Sequence, residues 1–356
     1  MTSDKVRQYK TFIRRKYIVV LSLVLLLLLS VYVSLSLGSS SIGQRDIFKA
    51  LFFNSTRSAE TIVWSVRMPR IVVGIAVGAA LALSGVVMQN VLSNPMASAS
   101  TLGVSQGASF GAAFAICFLN AGVQVNSGGA SSSIAITNPY IVTICAFIGG
   151  MLTTIVILML SRMRGATPSS MILSGVAISS MFTGALTLIQ YFADDVMVST
   201  IVYWTFGSLG RAGWNEIFLI IALTFIAFVF FIFNRWNYNA LEGGRNSAKS
   251  LGVNVDALQF LSLLLCALIS SVSVAFVGCI SFVGLIAPHV MRRFVGSDHR
   301  FLIPTSALAG SVLLLLSDTL SRTIISPIVL PIGALTSFLG APLFLYLVIR
   351  RRGQDD

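Results

Sequence analysis

The sequence predicts an all-α protein that crosses a membrane about ten times and forms a single domain, residues 1–356. Hydrophobic residues make up 56% of the chain and charged residues only 10%, whereas soluble domains contain about 25% charged residues. Apolar runs of about 20 residues, the length of a membrane-spanning helix, recur along the chain. The alternating segments of about ten residues that are typical of a membrane β-barrel do not occur in the sequence.

Basic residues are distributed asymmetrically around these apolar runs, and the net charge is +12. They precede the first run and recur between alternate runs, which is the positive-inside pattern and predicts both termini in the cytoplasm. Residues 1–16 would then be a cytoplasmic N-terminal segment. A nucleic-acid surface would instead need basic residues interleaved with aromatic residues on a soluble face, and no such face is present in the sequence.

Ten apolar runs are predicted to be spans, and an even number keeps both termini on the same side. Residues 1–37 resemble a signal peptide, but the apolar run is nearer 20 residues than the usual length of about 7–15. We therefore interpret it as an uncleaved first span. Gly278 separates the seventh and eighth runs without room for a loop, which indicates a broken or half-length helix. The predicted spans are 18–37, 70–91, 101–119, 140–161, 170–192, 214–233, 257–277, 279–293, 302–320 and 332–349.

Small residues at four-residue steps flank a polar linker between the second and third spans. Such steps place glycine on one helix face, which lets neighbouring helices approach closely inside a membrane. The polar side chains at this depth would be costly against lipid, so we expect them to face protein or a water-filled route. The small residues are Gly74, Gly78, Ala82, Gly103, Gly107 and Gly111, and the polar ones are Gln89, Asn90 and Asn94.

Three connecting segments are long enough to have a role of their own. Residues 38–66 contain a short amphipathic stretch and are expected to lie on the outer surface. Residues 120–139 are uncharged and rich in Gly and Ser, which predicts a flexible outer loop. Residues 234–256 form the longest polar segment on the predicted cytoplasmic side and contain LEGGRNSAKSLG, which predicts a short helix interrupted by Gly243 and Gly244.

The sequence does not indicate an enzyme or an ion-driven carrier. Ion-coupled carriers generally keep a carboxylate or a histidine near the middle of the membrane, and Asp318 is the nearest candidate here. The phosphate-binding pattern GxxxxGK[ST] is absent, so energy for active transport would have to come from a separate subunit. The two histidines and four cysteines lack metal-ligand spacing, so we expect no metal, catalytic residue or cofactor in this chain.

A set of motifs in fixed order makes the prediction specific. The chain contains RMPRIVVGIAVGAALALSGVVMQNVLSNPMASASTLGVSQGA, then MILSGVAI, YWTFGSLGRAGW, FVGLIAPHVMRRFVGSDHR, SDTLSR and LPIGALTSFLGAPLFLYLVIR. From about residue 15 to residue 350 it resembles the FecCD-type permeases, the membrane subunits of ABC importers for ferric siderophores, haem and vitamin B12.

The resemblance implies an assembly and a set of partners. It implies the ABC importer permease fold with ten helices per subunit, paired with a second copy or a paralogue around a central pathway. It also implies two cytoplasmic ATPase subunits, which bind ATP and Mg, and an extracytoplasmic substrate-binding protein. Apart from membrane lipid, no other partner is expected, and nucleic acid is excluded.

The resemblance also implies roles for individual residues. Arg67, Arg70 and Arg322 resemble outer arginines that receive acidic residues of the binding protein. For Arg322 the alternative is an ion pair with Asp318, four residues earlier on the same helix. The ATPase-coupling residues would be Glu242, Arg245, Ala248, Leu251 and Gly252, although GlyGly stands here where the family has a Glu-rich start. The translocation pathway and gate would comprise Gln89, Asn94, Pro95, Pro168, Ser169 and Ser170.

The leading interpretation is therefore the permease subunit of an ABC importer for a metal chelate, with a ferric siderophore as the first expected cargo. A cobalamin or another corrinoid is the alternative, followed by haem and molybdate. An ion-coupled secondary carrier or channel is the alternative from a different class, and an integral-membrane enzyme is disfavoured. We expect the chain in the cytoplasmic membrane of a prokaryote.

Overall fold

A computed structural model describes residues 2–37, 43–51, 56–119, 121, 123–125, 134–136, 138–161, 168–326 and 328–352. The first half of the chain forms α1 (Thr2–Ser36), α2 (Gln44–Leu51), α3 (Arg57–Ile62), a π-helical turn (Val63–Arg67), α4 (Met68–Val91), α5 (Val104–Phe118), β1 (Val123–Val125), β2 (Ile134–Ile136), α6 (Pro139–Ser161) and α7 (Pro168–Phe192). The second half forms α8 (Asp195–Thr205), a 3₁₀ turn (Leu209–Arg211), α9 (Trp214–Phe233), α10 (Arg235–Glu242), α11 (Arg245–Ser250), α12 (Val255–Val277), α13 (Val283–Val295), α14 (His299–Thr323) and α15 (Ile332–Arg352).

Each of the ten predicted spans contains a helix. Within the described residues, 7 helical stretches are long and apolar enough to cross a membrane, and two shorter apolar helices lie at Val104–Phe118 and Ile332–Tyr346. The tenth, α13, has only 13 residues and follows Gly278, whose φ is +83°. Because that backbone conformation strains most other residues, glycine ends α12 there. The all-α polytopic fold class and the predicted break at Gly278 are both confirmed.

The second span begins earlier than its sequence predicts. The apolar run predicts a span from residue 70, directly after Pro69, which has no backbone N–H to donate. Instead, one continuous helix runs from Arg57 to Val91. The π-helical turn ahead of Pro69 lets the Met68 amide bond to Val63 O, five residues back. This wider turn accommodates the proline inside the helix, so part of the segment expected on the outer surface belongs to the span.

Two connecting segments contain structure that the sequence analysis did not foresee. In the predicted outer loop, Val123–Val125 pairs antiparallel with Ile134–Ile136, with Val123 opposite Ile136. Between the fifth and sixth predicted spans, α8 adds a helix of 11 residues. The segment 234–256 agrees with its prediction, because α10 and α11 are short helices separated by Gly243 and Gly244.

Glycine contacts hold the helices of the bundle close together. A Cβ atom placed on Gly78 would lie 2.5 Å from Gly310 O, and one on Gly107 would lie 2.3 Å from Gly149 O. Both distances are far below van der Waals contact, so α4 meets α14, and α5 meets α6, with backbone against backbone. The predicted role of the four-residue steps is confirmed. Gly103 is an exception, since it precedes α5 with φ +87° rather than lying in a helix.

The two ends of the bundle carry different polar groups. Lys16 Nζ lies 3.8 Å from Asp298 Oδ2 at the start of α14. Arg322, near the end of α14, donates to Ser34 Oγ near the end of α1. The two helices are therefore parallel. The end marked by Asp298 also holds α10, because Asn239 Nδ2 donates to Asp298 Oδ1 at 3.0 Å. We call this the coupling end and the opposite one the arginine end.

Candidate functional site

At the arginine end, two arginine side chains share one buried carboxylate. Arg70 Nε contacts Asp318 Oδ1 and Arg322 Nε contacts Asp318 Oδ2, each at 2.9 Å. Asp318 is fully buried. Arg322 also donates to Ser34 Oγ at 2.8 Å and to Leu37 O at 3.2 Å. Opposite charges are needed here because an unpaired carboxylate inside the protein would be costly. The cluster joins α1, α4 and α14.

The arginines predicted to dock a binding protein are less accessible than expected. Arg67 is 4% exposed and Arg322 is 6% exposed, and Arg67 donates to the backbone oxygen of Leu35. The two residues are predicted on the outer side, and the structure shows that both side chains are largely buried. The alternative ion pair between Asp318 and Arg322 is present, although it is buried rather than exposed. Docking remains a prediction for these residues.

The polar residues at the end of α4 face protein. Gln89 is buried and donates from Nε2 to Leu285 O at 3.4 Å, and Arg292 Nη1 donates to Gln89 Oε1 at 3.3 Å. Asn90, also buried, donates from Nδ2 to Tyr238 O at 3.2 Å and to Glu242 Oε2 at 3.0 Å. Of the two environments expected for these side chains, protein or a water-filled route, the structure shows the first.

The linker between α4 and α5 is more open. Asn94 is half-buried, and its Oδ1 accepts a hydrogen bond from the Met96 amide at 2.7 Å. Pro95 is exposed. The predicted pathway residues therefore fall into two groups, since Gln89 is packed between helices while Asn94 and Pro95 lie in an accessible turn. Their role in a pathway remains a prediction.

The predicted gate lies at the start of α7, the least buried of the long apolar helices among the described residues. Pro168 is the first residue of α7, and Ser169 and Ser170 are exposed. Further along, Ser180 and Thr187 are also exposed, and each hydroxyl bonds to a carbonyl four residues earlier at 3.0 Å. A helix this exposed, with hydroxyl groups among its apolar residues, is suited to line a route or contact a second subunit.

At the coupling end, α10 and α11 form a short helical hairpin. Gly244 has φ +101° and Gly252 has φ +83°, so glycine permits the turns on both sides of α11. Ala248 is fully buried and lies in the hydrophobic core, whereas Leu251 is 73% exposed. The hairpin is therefore fixed to the bundle on one side and presents a large apolar side chain on the other.

The remaining predicted coupling residues stabilise this hairpin. Arg245 forms an ion pair with Asp256 at the start of α12 and also donates to Gln259 Oε1 at 3.3 Å. Glu242, the last residue of α10, is exposed but has one carboxylate oxygen bonded to Asn90. Arg245 thus connects α11 to α12, and Glu242 connects α10 to α4.

The sequence is similar to those of known transport proteins. The sequence profile of the FecCD transport family matches residues 26–350. The chain belongs to this family. A protein of Methanocaldococcus jannaschii assigned as an ABC transporter permease is 48% identical over 349 residues, with 98% of both chains covered. The hemin transport system permease protein HmuU of Yersinia pestis is 36% identical over 340 residues, which covers 92% of this chain and 95% of HmuU.

A solved structure supports the same assignment for the fold. It is described as an inward-facing conformation of a transporter assigned to the metal-chelate ABC type, and it shares 30% sequence identity with this chain. The TM-score is 0.79, covering 93% of this chain and 98% of the other. The ABC importer permease fold and the FecCD resemblance are thereby confirmed, and the chain is a multi-pass membrane protein of this transport family.

Sequence reasoning missed the polar contacts that fix α10 in this FecCD chain. Tyr238 OH lies 2.7 Å from Ser262 Oγ, and the Tyr238 side chain is fully buried. Burial raises the pKa of Tyr238, so its hydroxyl stays neutral. Asn239 bonds to Asp298 and to the His299 amide. The sequence predicts a short helix only within LEGGRNSAKSLG, so α10 and its buried residues Tyr238 and Leu241 are not part of that prediction.

Proposed function

We propose that this chain is the permease subunit of a binding-protein-dependent ABC importer for a metal chelate. The observation that carries the proposal is the hairpin of α10 and α11. It is anchored in the core through Ala248 and presents Leu251, 73% exposed, at the coupling end. Basic residues cluster at this end, and the positive-inside rule places it in the cytoplasm together with both termini. An ATPase partner would meet the hairpin there.

The proposed assembly follows from the same arrangement. Two ATPase subunits with bound ATP and Mg would act on the hairpins of two permease copies or paralogues. An extracytoplasmic binding protein would deliver the cargo at the arginine end, where the Arg70 side chain is 14% exposed. The exposed helix α7 would line the pathway, with the gate at Pro168, Ser169 and Ser170 on the cytoplasmic side. No cofactor or metal is assigned to this chain.

A ferric siderophore is the first proposed cargo. Similar permeases are named for hemin, iron(3+)-hydroxamate and vitamin B12 import. Cobalamin or another corrinoid is therefore the alternative, and haem and molybdate follow. A pathway wide enough for such chelates selects weakly, so the binding protein would determine the specificity.

An ion-coupled carrier is the competing function. It would need a carboxylate or a histidine that is free to bind a proton or a sodium ion within the membrane. Asp318 was the nearest candidate, but both of its oxygens are engaged by the side chains of Arg70 and Arg322. This arrangement favours a permease that obtains the energy for transport from a separate subunit.

Uptake into proteoliposomes distinguishes the two functions. The permease would be reconstituted alone or with its ATPase and binding protein, and ferric hydroxamate, haem and cobalamin would be supplied in turn. We expect uptake of one chelate only in the complete assembly with ATP. Uptake by the permease alone under a proton or sodium gradient would overturn the proposal. Uptake of cobalamin in place of the siderophore would correct only the cargo.

A further inference from the structure

Asn90 makes a connection between helices that the predicted site residues do not explain. It lies in the last turn of α4 and is 6% exposed. Its Nδ2 donates to Tyr238 O at 3.2 Å and to Glu242 Oε2 at 3.0 Å, both on α10. The bond to Glu242 involves a carboxylate, and such charge-assisted hydrogen bonds are stronger than those between neutral groups.

The helix that Asn90 contacts is held to the bundle as one unit. On one side, Tyr238 OH pairs with Ser262 Oγ of α12 at 2.7 Å. On another, Asn239 Oδ1 accepts from the His299 amide at 2.8 Å at the start of α14. These contacts attach α10 to α12 and α14. Asn90 is the side chain that attaches it to α4 through hydrogen bonds.

The two partners in the Asn90–Glu242 bond stand next to the parts of the chain that would move. Glu242 immediately precedes Gly243 and Gly244, the glycine turn that leads into α11. Asn90 is the penultimate residue of α4, and the Ser93 amide of the following linker bonds to Asn90 O at 3.0 Å. The Asn90–Glu242 hydrogen bond therefore connects the exposed hairpin with the turn that contains Asn94 and Pro95.

We propose that Asn90 is a positioning residue that transmits movement of the α10–α11 hairpin to the linker 92–103 through its hydrogen bonds to α10. This inference rests on the proposed function, because it assumes that an ATPase moves the hairpin. Asn90 is buried, so any effect of its replacement acts through α10 rather than through direct contact with the ATPase. Glu242 is exposed, so its replacement could act through α10 or through direct contact with the ATPase. Asn90 is therefore the more informative position.

A double-mutant cycle tests the inference in proteoliposomes that contain the complete importer. The variants are Asn90→Leu, Glu242→Ala and the double variant, and the readout is the number of ATP molecules hydrolysed per chelate imported. The loss of one hydrogen bond changes an equilibrium constant by about fivefold. We expect each single variant to raise the ratio by at least that factor, and the double variant to be no worse than Asn90→Leu, because Asn90→Leu already removes the bond to Glu242 together with the bond to Tyr238 O. Ser262→Ala is the matched control. It removes a buried hydrogen bond that attaches α10 to α12 rather than to α4, and it is expected to leave the ratio unchanged.

Two results would overturn the inference. One is a wild-type ratio in Asn90→Leu, and the other is a double variant in which the two effects multiply. Should Asn90→Leu fail to assemble, Asn90→Asp replaces it. That variant sets a carboxylate beside Glu242, and the repulsion is expected to raise the ratio. Adding Glu242→Gln to Asn90→Asp is expected to relieve the repulsion and to lower the ratio again. A ratio that stays raised in this combined variant would overturn the inference. Failure of the proposed function is distinguishable, because the wild-type assembly itself would then show no ATP-dependent uptake.

Discussion

At the scale of single residues, the most consequential feature is the carboxylate of Asp318 between two arginines. The sequence analysis recognised Arg70 and Arg322 and the spacing between Asp318 and Arg322. It could not show that Arg70, 248 residues away from Asp318 along the chain, completes the cluster. That contact depends on how α4 and α14 pack, which a local pattern does not contain. Arg67 and Arg322 are therefore largely buried, and their role in docking stays a prediction.

Replacing Asp318 with Asn tests this description. The substitution leaves two arginines buried without their counter-charge, and breaking a buried ion pair on one side costs about 3–5 kcal/mol. We expect a large drop in the melting temperature of the detergent-solubilised protein. Asp256→Asn is the matched control, since the Asp256 side chain is 68% exposed and exposed pairs contribute about 0–1 kcal/mol. Equal melting temperatures for the two variants would refute the structural role of Asp318.

The same geometry changes how docking can be tested. Reversing Arg67, Arg70 and Arg322 to Glu together would place new carboxylates beside Asp318, so the protein would be destabilised whether or not the arginines dock a partner. Arg70→Gln is the cleaner variant, because Arg322 still neutralises Asp318. If Arg70 docks an acidic partner, we expect slower association of the binding protein at low salt and a difference that shrinks as salt rises. An association rate equal to wild type at low salt would assign Arg70 to the structure alone.

At the scale of elements, glycine spacing was the most reliable sequence signal. The crossings of Gly78 with Gly310 and of Gly107 with Gly149 are of the kind predicted from four-residue steps. The break at Gly278 and the hairpin around Gly243 were also predictable, because glycine has a local conformational reason to be there. The helix α8 and the early start of the second span were not. Both depend on how connecting segments pack against the bundle.

A pair of glycine substitutions tests the helix crossings. A Cβ on Gly85 would lie 1.7 Å from Gly284 O, so Gly85→Ala is expected to prevent correct folding or to lower the melting temperature strongly. Gly184 has no atom within 4 Å of its Cβ position. Gly184→Ala is therefore expected to be neutral or stabilising by up to about 1 kcal/mol. A well-folded Gly85→Ala protein with an unchanged melting temperature would show that α4 and α13 are not in backbone contact.

The coupling helix α11 offers a second test at this scale. The Ala248 amide donates to Gly244 O at 3.0 Å. Ala248→Pro removes this bond, and proline inside a helix costs about 3 kcal/mol. We expect the variant to insert into the membrane but to lose cargo-stimulated ATP hydrolysis. Ala248→Gly retains the amide and is expected to keep most of the stimulation. Normal stimulation in Ala248→Pro would remove α11 from the coupling path.

At the scale of the whole molecule, the two ends of the bundle are specialised. Parallel packing of α1 and α14 places the buried arginine cluster at one end and the α10–α11 hairpin at the other. The charge asymmetry of the sequence predicts that the two ends differ. The composition does not reveal which helix is left uncovered. Among the long apolar helices of the described residues, α7 is the least buried, and its exposed residues include both hydroxyl groups and large apolar side chains.

Thiol accessibility tests most directly whether this chain forms the wall of an ATP-driven pathway. Cys117, Cys145, Cys266 and Cys279 would first be replaced. Single cysteines would then be introduced at Ser169 and Asn94, and at the fully buried Ser270 as control. A membrane-impermeant thiol reagent would be applied from the cytoplasmic side in the resting, ATP-bound and nucleotide-free states of the complete assembly.

We predict that Ser169→Cys and Asn94→Cys react in at least one state and that ATP changes their reaction rates. Ser270→Cys should remain protected in every state. Protection of Ser169→Cys and Asn94→Cys in all three states would contradict the account. The exposed start of α7 and the α4–α5 linker would then be packing surfaces rather than the wall of a pathway.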